Sequence, residues 1–334
     1  MLKAGKGDCC IIEYEGKTIL IDGGLKNTYN ASLKKILKDK TSIDLIIITH
    51  IDNDHINGIV SIFEDRYFDL KKIKKVWFNS AAILNEKKDN DDRKIKLSSC
   101  SEEKGVSEGI FIESELENLG CWHTSPIKYG SSFTISDIKI DVLAPFDNEL
   151  KELEENWEKE QKNIQLKKEE AQFKSSKIEN NISINDLLKN QDLIDDSYTN
   201  KSSIAVLIEM NGKKLLFPGD TTSEILLKAL KEKKYTKEFP LKLDIFKLPH
   251  HGSKFNINND ILEIIDCNTF LISTSGVGTS YHPDKECLAK IIAANKNKKI
   301  EFVFNYEIFD EMFLEEDRNE YKNFECVQKN EIEI

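Results

Sequence analysis

Long hydrophobic runs are missing from this sequence of 334 residues. No stretch of about 18 or more consecutive apolar residues occurs, so no membrane-spanning helix is expected. The N-terminal segment, Met1–Asp8, also lacks the apolar core of a secretory signal. We therefore expect a cytoplasmic protein without a membrane partner.

Cysteine is present at 7 positions but never in a CxxC pair. The absence of that spacing argues against a zinc knuckle and against a thioredoxin-type redox site. Cys9 and Cys10 are adjacent, but they lie in an apolar stretch, where free thiols are usually buried and inert. Scattered cysteines of this kind are typical of a reducing compartment.

Basic residues are outnumbered by acidic ones. The chain has 48 Lys and Arg residues and 59 Asp and Glu residues, which give a formal net charge of -11. An acidic surface repels phosphate backbones at long range. We therefore do not expect non-specific binding of nucleic acid by this chain alone, although a local positive cleft remains an alternative. Hydrophobic residues make up 39% of the chain, which is enough to bury a core.

Two segments with alternating strand and helix patterns flank a charged segment. In the first, Leu45–Ile48 is a continuous apolar run, typical of a strand buried on both faces. Asn30–Lys40 has helical spacing. In the second, Asn211 and Gly212 indicate a type I′ turn between two strands, and Leu243–Leu248 is expected to be one strand. The other expected elements are a helix at Asp284–Asn295 and strands at Asp8–Tyr14, Lys17–Ile21, Lys75–Phe78, Phe133–Ile135, Ile138–Leu143, Ile204–Glu209, Lys214–Phe217, Phe270–Ser273 and Ile300–Phe304.

The charged segment, residues 147–200, begins with a Glu- and Lys-rich run and continues into an Asn-, Ser- and Asp-rich stretch. We interpret it as an inserted helical arm followed by a mobile loop. A solvated helix without a part in the chemistry is favoured over a lid above the site. We expect one domain over residues 1–334, with residues 306–334 as a C-terminal extension that packs on it or docks a partner.

Potential metal ligands are concentrated directly after the apolar run. His50, Asp52, Asp54 and His55 fall within six residues. Four polar groups this close together are costly to bury unpaired, and a divalent cation supplies the missing charge balance. We therefore predict metal ligands, with His50 and Asp52 facing one ion and Asp54 and His55 facing another.

Further candidate residues follow other predicted strands. The two carboxylate oxygens of Asp220 suit it to bridge two ions. His250 and His251 are able to ligate a metal or to contact an anionic substrate, and His282 lies in a later loop. All these groups come after the C-terminal ends of strands, where α/β sheets gather their binding sites. This shared placement is a stronger argument than any single motif.

These motifs, in this order, resemble the metallo-β-lactamase superfamily, and within it the hydrolase domains of ComEC-like DNA-uptake proteins. The resemblance implies an αβ/βα four-layer sandwich, with the site at one edge of two facing sheets. It also implies two divalent metal ions, zinc or manganese, and hydrolysis by a metal-activated water, often of phosphodiesters. The resembling stretches are Gly5–Asp8, Leu20–Gly24, Thr49–Gly58, Ser202–Ile204, Phe217–Asp220, Leu248–Ser253 and Tyr281–Pro283.

Two positions depart from the family's pattern. The usual motif is His-x-His-x-Asp-His, whereas Asp52 stands here in the place of the second His, as it does in ComEC-like members. The family's third His falls best on Asn200; His123 is a weaker alternative, because it precedes a strand instead of following one. A site richer in oxygen ligands shifts the preference from zinc towards manganese or magnesium.

The resemblance also implies roles for single residues. Asp54 would orient the attacking water or take its proton, and Asp220 would bridge the ions. His251 would complete the second metal site, with His250 supporting a ligand or contacting the substrate. His282 would stabilise a developing oxyanion or protonate the leaving oxygen; an equally weighted alternative is a loop residue that stabilises its turn.

The turn formed by Asp22, Gly23 and Gly24 is expected to be structural support. In the resembling family this turn buttresses the metal-binding loops, and two glycines permit a tight backbone. Asp22 is therefore expected to support the ligands and not to take part in the chemistry.

The leading functional prediction is a metal-dependent phosphodiesterase or nuclease. Because the acidic surface argues against a stand-alone DNA nuclease, a partner protein would supply DNA binding. Family analogy alone suggests an effector in a bacterial multi-protein defence complex. The first alternative is a hydrolase of small phosphodiesters or other esters, favoured if the insertion closes over the site. The second is a metal-poor scaffold or binding module.

Overall fold

The computed structural model describes residues 1–84, 105–123, 125–163, 177–277 and 281–334. The strands in these ranges are β1 (Cys10–Tyr14), β2 (Lys17–Ile21), β3 (Leu45–Ile47), β4 (Val76–Trp77), β5 (Ser132–Ile135), β6 (Ile138–Ala144), β7 (Ala205–Met210), β8 (Lys213–Phe217), β9 (Leu241–Leu243), β10 (Ile245–Lys247), β11 (Ile265–Cys267), β12 (Thr269–Ile272), β13 (Ile300–Phe304) and β14 (Phe324–Gln328).

The α-helices in the same ranges are α1 (Lys26–Thr28), α2 (Lys34–Asp39), α3 (Asn53–Glu64), α4 (Ala81–Leu84), α5 (Val106–Leu119), α6 (Asp147–Asn163), α7 (Ile184–Leu187), α8 (Tyr198–Lys201), α9 (Ser223–Glu232), α10 (Asn259–Glu263), α11 (Lys285–Ala294) and α12 (Glu315–Glu320). A π-helical turn, Tyr29–Leu33, joins α1 to α2, and short 3₁₀ helices lie at Leu70–Lys72, Lys177–Asn181 and Pro249–Gly252. None of the described helices has both the length and the apolar character needed to cross a membrane.

Two sheets carry the fold. The smaller has the order β1-β2-β3-β4, in which β1 is antiparallel to β2 and the other pairs are parallel. The larger has the order β14-β13-β12-β10-β8-β7-β6-β5, with parallel pairing from β14 to β8 and antiparallel pairing from β8 to β5. A separate pair, β9 and β11, lies outside both sheets.

The core has three layers of apolar side chains, because each sheet is covered on both faces. One layer lies between the sheets, and the other two lie between each sheet and its helices. Leu45 and Ile47 of β3 face the layer between the sheets, whereas Ile46 belongs to the apolar layer that includes residues of α2, α3 and α5. This alternation follows from the two-residue period of a strand. The predicted four-layer α/β sandwich is confirmed, and β3 is buried on both faces.

Helix α3 is fixed against the turn at residues 22–24 by two glycines in direct contact. A Cβ atom on Gly58 would lie 1.9 Å from the carbonyl oxygen of Gly23, and a Cβ on Gly23 would lie 2.4 Å from the amide nitrogen of Ile59. The amide of Gly58 donates to the oxygen of Gly24 at 2.9 Å. Such an approach is possible only where neither backbone carries a side chain. It places the first turn of α3, with Asp54 and His55, beside Asp22.

The strand expected over Leu243–Leu248 is wrong as a single element. The structure divides it into β9 and β10, which belong to different sheets, with Asp244 between them. The carboxylate of Asp244 accepts a hydrogen bond from the amide of Lys214 at 2.9 Å, and its own amide donates to the Lys214 carbonyl at 2.9 Å. This local exchange of hydrogen bonds ends one strand and starts the next.

The inserted segment packs on the sandwich where it is described, and residues 164–176 lie outside the described ranges. Leu153 and Trp157 of α6 are buried in the helical layer of the smaller sheet. After the gap, the chain is fixed to α11, because Lys285 donates to the Ile182 carbonyl at 2.6 Å. Residues 306–334 add α12 and the edge strand β14 to the same body.

Candidate metal centre

Three strand ends bring the predicted ligands to one edge of the two sheets. The smaller sheet contributes the residues after β3, and the larger sheet contributes those after β8 and β10. The sheets are joined directly beside this edge, since the amide of Ile204 donates to the carbonyl of Thr49 at 2.9 Å. The candidate ligands therefore lie together beyond the C-terminal ends of strands, as the sequence predicted.

Asp220 lies at the centre of four imidazole rings. Its Oδ2 atom is 3.4 Å from Nε2 of His55, 3.8 Å from Nε2 of His250, 3.8 Å from Nε2 of His251 and 3.9 Å from Nε2 of His50. The Asp220 side chain is almost fully buried. One carboxylate facing four ring nitrogens is the arrangement expected of a shared metal ligand.

The carboxylates of the first loop complete two sides of this cluster. Asp52 Oδ2 lies 3.7 Å from His50 Nε2, and Asp54 Oδ2 lies 3.7 Å from His251 Nε2. Within the described residues, candidate ligand atoms lie within 4.8 Å of one another in three groups. These groups are His50–His55–Asp220, Asp54–His55–His251 and Asp8–Asp22–His55.

Several polar atoms of the cluster are buried without a hydrogen bond to any described residue. They are Nε2 of His50, His55 and His251, and Oδ1 of Asp52 and Asp220. Buried polar atoms without partners are costly and uncommon in proteins. Imidazole nitrogen and carboxylate oxygen are ligands that zinc and manganese both accept. The residues present therefore fit a divalent metal ion.

His55 is oriented by Asp22, which the sequence identified as support. Asp22 Oδ2 lies 2.8 Å from His55 Nδ1 and accepts a hydrogen bond from the Thr49 hydroxyl at 2.7 Å. The other oxygen accepts from the Thr49 amide at 2.8 Å. A carboxylate on Nδ1 fixes the ring and directs Nε2 at the metal position.

His251 has an equivalent partner that the sequence reasoning missed. Its Nδ1 atom lies 3.2 Å from Asp8 Oδ1 and 2.9 Å from the carbonyl oxygen of Ser273. In the same way, His50 Nδ1 lies 3.2 Å from the hydroxyl of Ser203. The signal for Asp8 was its position at the start of an apolar strand, where a carboxylate needs a buried partner.

Asp8 finds that partner in Lys247, the last residue of β10. Both side chains are almost fully buried and form an ion pair. Burial raises the pKa of the Asp8 carboxyl, but the charges of Lys247 and His251 outweigh burial and hold this pKa well below its usual range. Burial lowers the pKa of Lys247, and Asp8 and Asp220 together more than offset that effect. Asp8 is therefore ionised where it contacts His251.

The charges of the cluster are strongly linked. Burial raises the pKa of Asp220, yet the neighbouring imidazoles, His55 first, hold it well below the usual range. Burial lowers the pKa of His55, but Asp220 and Asp22 together raise it well above its ordinary value. The pKa of His250 is raised to about 9, because Asp220 and Asp195 together more than offset burial. A metal ion bound by these ligands would displace protons from the imidazoles.

His250 and His251 both adopt the left-handed backbone conformation, with φ of 46° and 56°. Such angles are uncommon for residues with a side chain. They occur in the short turn Pro249–Gly252 directly after β10, which turns both rings towards Asp220. The strain is local to the candidate site, as is common at functional positions.

His282 lies beside the cluster, with its ring centroid 5.0 Å from that of His250. Burial lowers its pKa, and Asp284, with Oδ2 at 3.6 Å from Nδ1, only partly opposes that effect. A neutral imidazole accepts a proton at one ring nitrogen and donates a hydrogen bond from the other.

The two candidates for the third His lie in different places. Asn200 is buried beside the cluster, and its Nδ2 atom donates to Asp195 at 2.7 Å and lies 3.4 Å from His250 Nδ1. The ring of His123 packs on Phe133 of β5 at 5.3 Å, and among the described residues His123 joins none of the three ligand groups. The weaker alternative thus lies apart from the centre.

The family model named Metallo-beta-lactamase superfamily matches residues 2–80. The predicted resemblance to this superfamily is confirmed. The matched range includes the Asp22 turn and the four candidate ligands after β3, whereas Asp220 and the later histidines come from outside it. The family match and the geometry of the site together support a metal-dependent hydrolase.

Comparison with known proteins gives distant similarities over most of the chain. A curated relative, ComE operon protein 3 of Bacillus subtilis, is 23% identical over 92% of this chain. The chain spans 33% of the length of that relative. Two solved structures that are similar to this chain are those of a metallo hydrolase, Igni18, from Ignicoccus hospitalis and of the metallo-beta-lactamase fold protein YhfI from Bacillus subtilis. Igni18 is 13% identical with a TM-score of 0.41, and YhfI is 10% identical with a TM-score of 0.41; each match covers 98% of this chain and 94% of the other.

Proposed function

We propose that this chain is a phosphodiesterase that depends on two divalent metal ions. The observation that carries the proposal is the position of Asp220 Oδ2, which lies 3.4 to 3.9 Å from Nε2 of four histidines. His50 and Asp52 would hold one ion, and Asp54, His55 and His251 the other, with Asp220 shared between them. Three carboxylates in this set suit manganese as well as zinc.

A bound divalent ion would lower the pKa of a water molecule and polarise a phosphoryl oxygen. Asp54 would orient the attacking water and accept its proton. Burial raises the pKa of the Asp54 carboxyl, but His55 and His251 together hold it below its usual value. Asp54 is therefore ionised, as a proton acceptor must be, and its side chain keeps 20% of its surface exposed.

His282 would act on the developing oxyanion or the leaving group, whereas Asp54 acts on the attacking water. Its ring is buried and lies next to that of His250. From there it would donate a hydrogen bond to a developing oxyanion or a proton to the leaving oxygen. His250 lies next to both His282 and Asp220.

A nuclease is the finer form of this proposal. The net charge of -11 disfavours capture of a polyanion by this chain alone, so a partner protein would supply DNA binding. We extend the proposal, on family analogy, to a cytoplasmic effector in a bacterial multi-protein defence complex.

A second candidate is a hydrolase of small phosphodiesters or other esters. The observation that favours it is the contact of Asp195, from the inserted segment, with His250 at 3.2 Å. Because the insertion reaches the metal cluster, it narrows the space above it and favours a small or threaded substrate. A metal-poor scaffold is the remaining alternative.

A panel of substrates separates these functions. Protein stripped with chelator and reloaded with manganese or zinc would be assayed on plasmid, single-stranded oligonucleotide, cyclic dinucleotides and p-nitrophenyl acetate. We expect metal-dependent turnover of a phosphodiester and none of the carboxyl ester. Turnover of the acetate alone would contradict the phosphodiesterase, whereas cleavage of cyclic dinucleotides without cleavage of long DNA would replace the nuclease with the small-substrate hydrolase.

A further inference from the structure

The unusual feature of this cluster is an acidic residue contributed by the inserted segment. Asp195 lies between α7 and α8, and its side chain keeps only 10% of its surface exposed. Its Oδ2 atom accepts hydrogen bonds from Nδ2 of Asn200 at 2.7 Å and from Nδ2 of Asn256 at 3.0 Å. The same oxygen lies 3.2 Å from Nδ1 of His250. Its Oδ2 atom thus has three polar partners, one of which is His250.

The same arrangement occurs at two other histidines of the cluster. His55 has Asp22 at 2.8 Å from Nδ1, and His251 has Asp8 at 3.2 Å from Nδ1. In both, Nε2 faces Asp220, at 3.4 Å for His55 and 3.8 Å for His251. Such carboxylate–histidine pairs orient rings that bind a metal.

His250 has the same two contacts, although among the described residues it joins none of the three ligand groups and its side chain keeps 27% of its surface exposed. A carboxylate lies at its Nδ1, and its Nε2 lies 3.8 Å from Asp220 Oδ2, the same separation as for His251. The left-handed backbone at His250, with φ of 46°, holds the ring on the Asp220 side. If His250 only stabilised its turn, its Nε2 atom would not need to lie near Asp220.

Asn200 explains why a substitute is needed. The position that best matches the family's third His carries an amide here, and that amide donates to Asp195. Asn200 therefore holds the Asp195 carboxylate in place, and Asp195 in turn orients His250.

We propose that His250 takes the place of the missing third His as ligand to the ion shared by His50 and Asp220, and that Asp195 is its positioning residue. This inference rests on the proposed metal-dependent function. It makes the inserted segment a part of the metal site, because Asp195 belongs to that segment.

The test measures metal binding by the full chain and not only turnover. His250→Ala, Asp195→Ala and Asp195→Asn would be compared with Asp196→Asn, a matched control in which the neighbouring carboxylate is 90% exposed and pairs with Lys201 at 2.5 Å. Manganese and zinc stoichiometry would be measured by plasma mass spectrometry, and affinity by competition with a chromophoric chelator. Thermal melting in excess chelator shows whether each variant is folded.

We expect the wild-type protein to bind two ions and His250→Ala to keep one. Asp195→Ala should lower the affinity for one ion by about 10- to 100-fold, the usual effect of losing a residue that orients a ligand. Asp195→Asn keeps an acceptor oxygen and should lose less, whereas Asp196→Asn should bind like the wild type. If His250→Ala does not melt as a folded protein, the graded series at Asp195 carries the test.

Two ions at wild-type affinity in His250→Ala or in Asp195→Ala would overturn this inference and leave the proposed function intact. Fewer than two ions in the wild-type protein would contradict the proposed function itself, and the assignment of His250 with it. Equal losses in Asp195→Ala and Asp196→Asn would also overturn the inference, since the effect would then be one of surface charge.

Discussion

Lys247 shows how a single residue supports the candidate centre without belonging to it. Its ammonium group is buried behind the cluster and pairs with Asp8, which in turn lies 3.2 Å from His251 Nδ1. Neither charge has access to water. Removing one partner of such a pair leaves an uncompensated charge in the interior, which costs more than the pair itself contributes.

We therefore predict that Lys247→Met lowers the free energy of unfolding by about 3–5 kcal/mol. Urea denaturation in the presence of chelator measures this loss without a contribution from bound metal. Lys213→Met is the control, because Lys213 is 42% exposed in its pair with Asp244 and should cost less than about 1 kcal/mol. In Asp8→Leu/Lys247→Met, which removes both charges, most of the loss should be restored. A single Lys247→Met variant as stable as the control would contradict this account.

At the residue scale, the sequence predicted the residues that cluster locally and missed those that depend on distant contacts. Four candidate ligands after β3 are neighbours in sequence, so their clustering could be anticipated. The partnership of Asp8 with Lys247 joins positions 239 residues apart, and that of Asp195 with His250 crosses 55 residues. The assignment of Asn200 as a ligand stays a prediction, since its observed contacts are with Asp195 and His250.

At the scale of elements, the contact between α3 and the turn at residues 22–24 decides where His55 lies. The missing side chains of Gly23 and Gly58 allow the two backbones to touch. We predict that Gly58→Ala, which forces them apart, lowers the free energy of unfolding by about 1–3 kcal/mol, as overpacking does. It should also weaken metal binding, because the Asp22–His55 hydrogen bond spans the same contact.

The control for this prediction is Ser61→Ala in the same helix. Ser61 is buried and donates only to the carbonyl of Asn57, at 3.0 Å, so its loss leaves the contact with the turn unchanged. Chemical denaturation and a chelator competition would be measured on both variants. A Gly58→Ala protein that matches Ser61→Ala in stability and in metal affinity would show that the close approach is dispensable.

Sequence patterns predicted most strands of the described residues because their apolar periodicity is strong, whereas helices such as α3, α5 and α9 were not predicted. β3 was recognisable as a run buried on both faces, and Asn211 and Gly212 both have positive φ in the turn between β7 and β8, as a type I′ turn requires. The break at Asp244 was missed, because the apolar run continues through it. β14 was missed as well, since the exposed Glu325 and Gln328 lie on opposite faces of this edge strand and leave it without a clear apolar alternation.

At the scale of the molecule, two sheets contribute different parts of one site. The smaller sheet supplies His50 to His55, and the larger supplies Asp220 and the two histidines after β10. Neither half holds the cluster alone, so the site exists only when the sheets face each other. The general layout followed from the family resemblance, but the extent to which the insertion and the C-terminal residues pack on the sandwich did not.

The most direct test of the central claim is metal content and turnover measured on the same protein sample. Plasma mass spectrometry would count the ions, and hydrolysis of bis(p-nitrophenyl) phosphate would be followed with manganese and with zinc. The account predicts two ions per chain and metal-dependent turnover, which falls to background in Asp220→Ala while the fold is retained. Fewer than two ions per chain, or full activity in metal-replete Asp220→Ala, would contradict it.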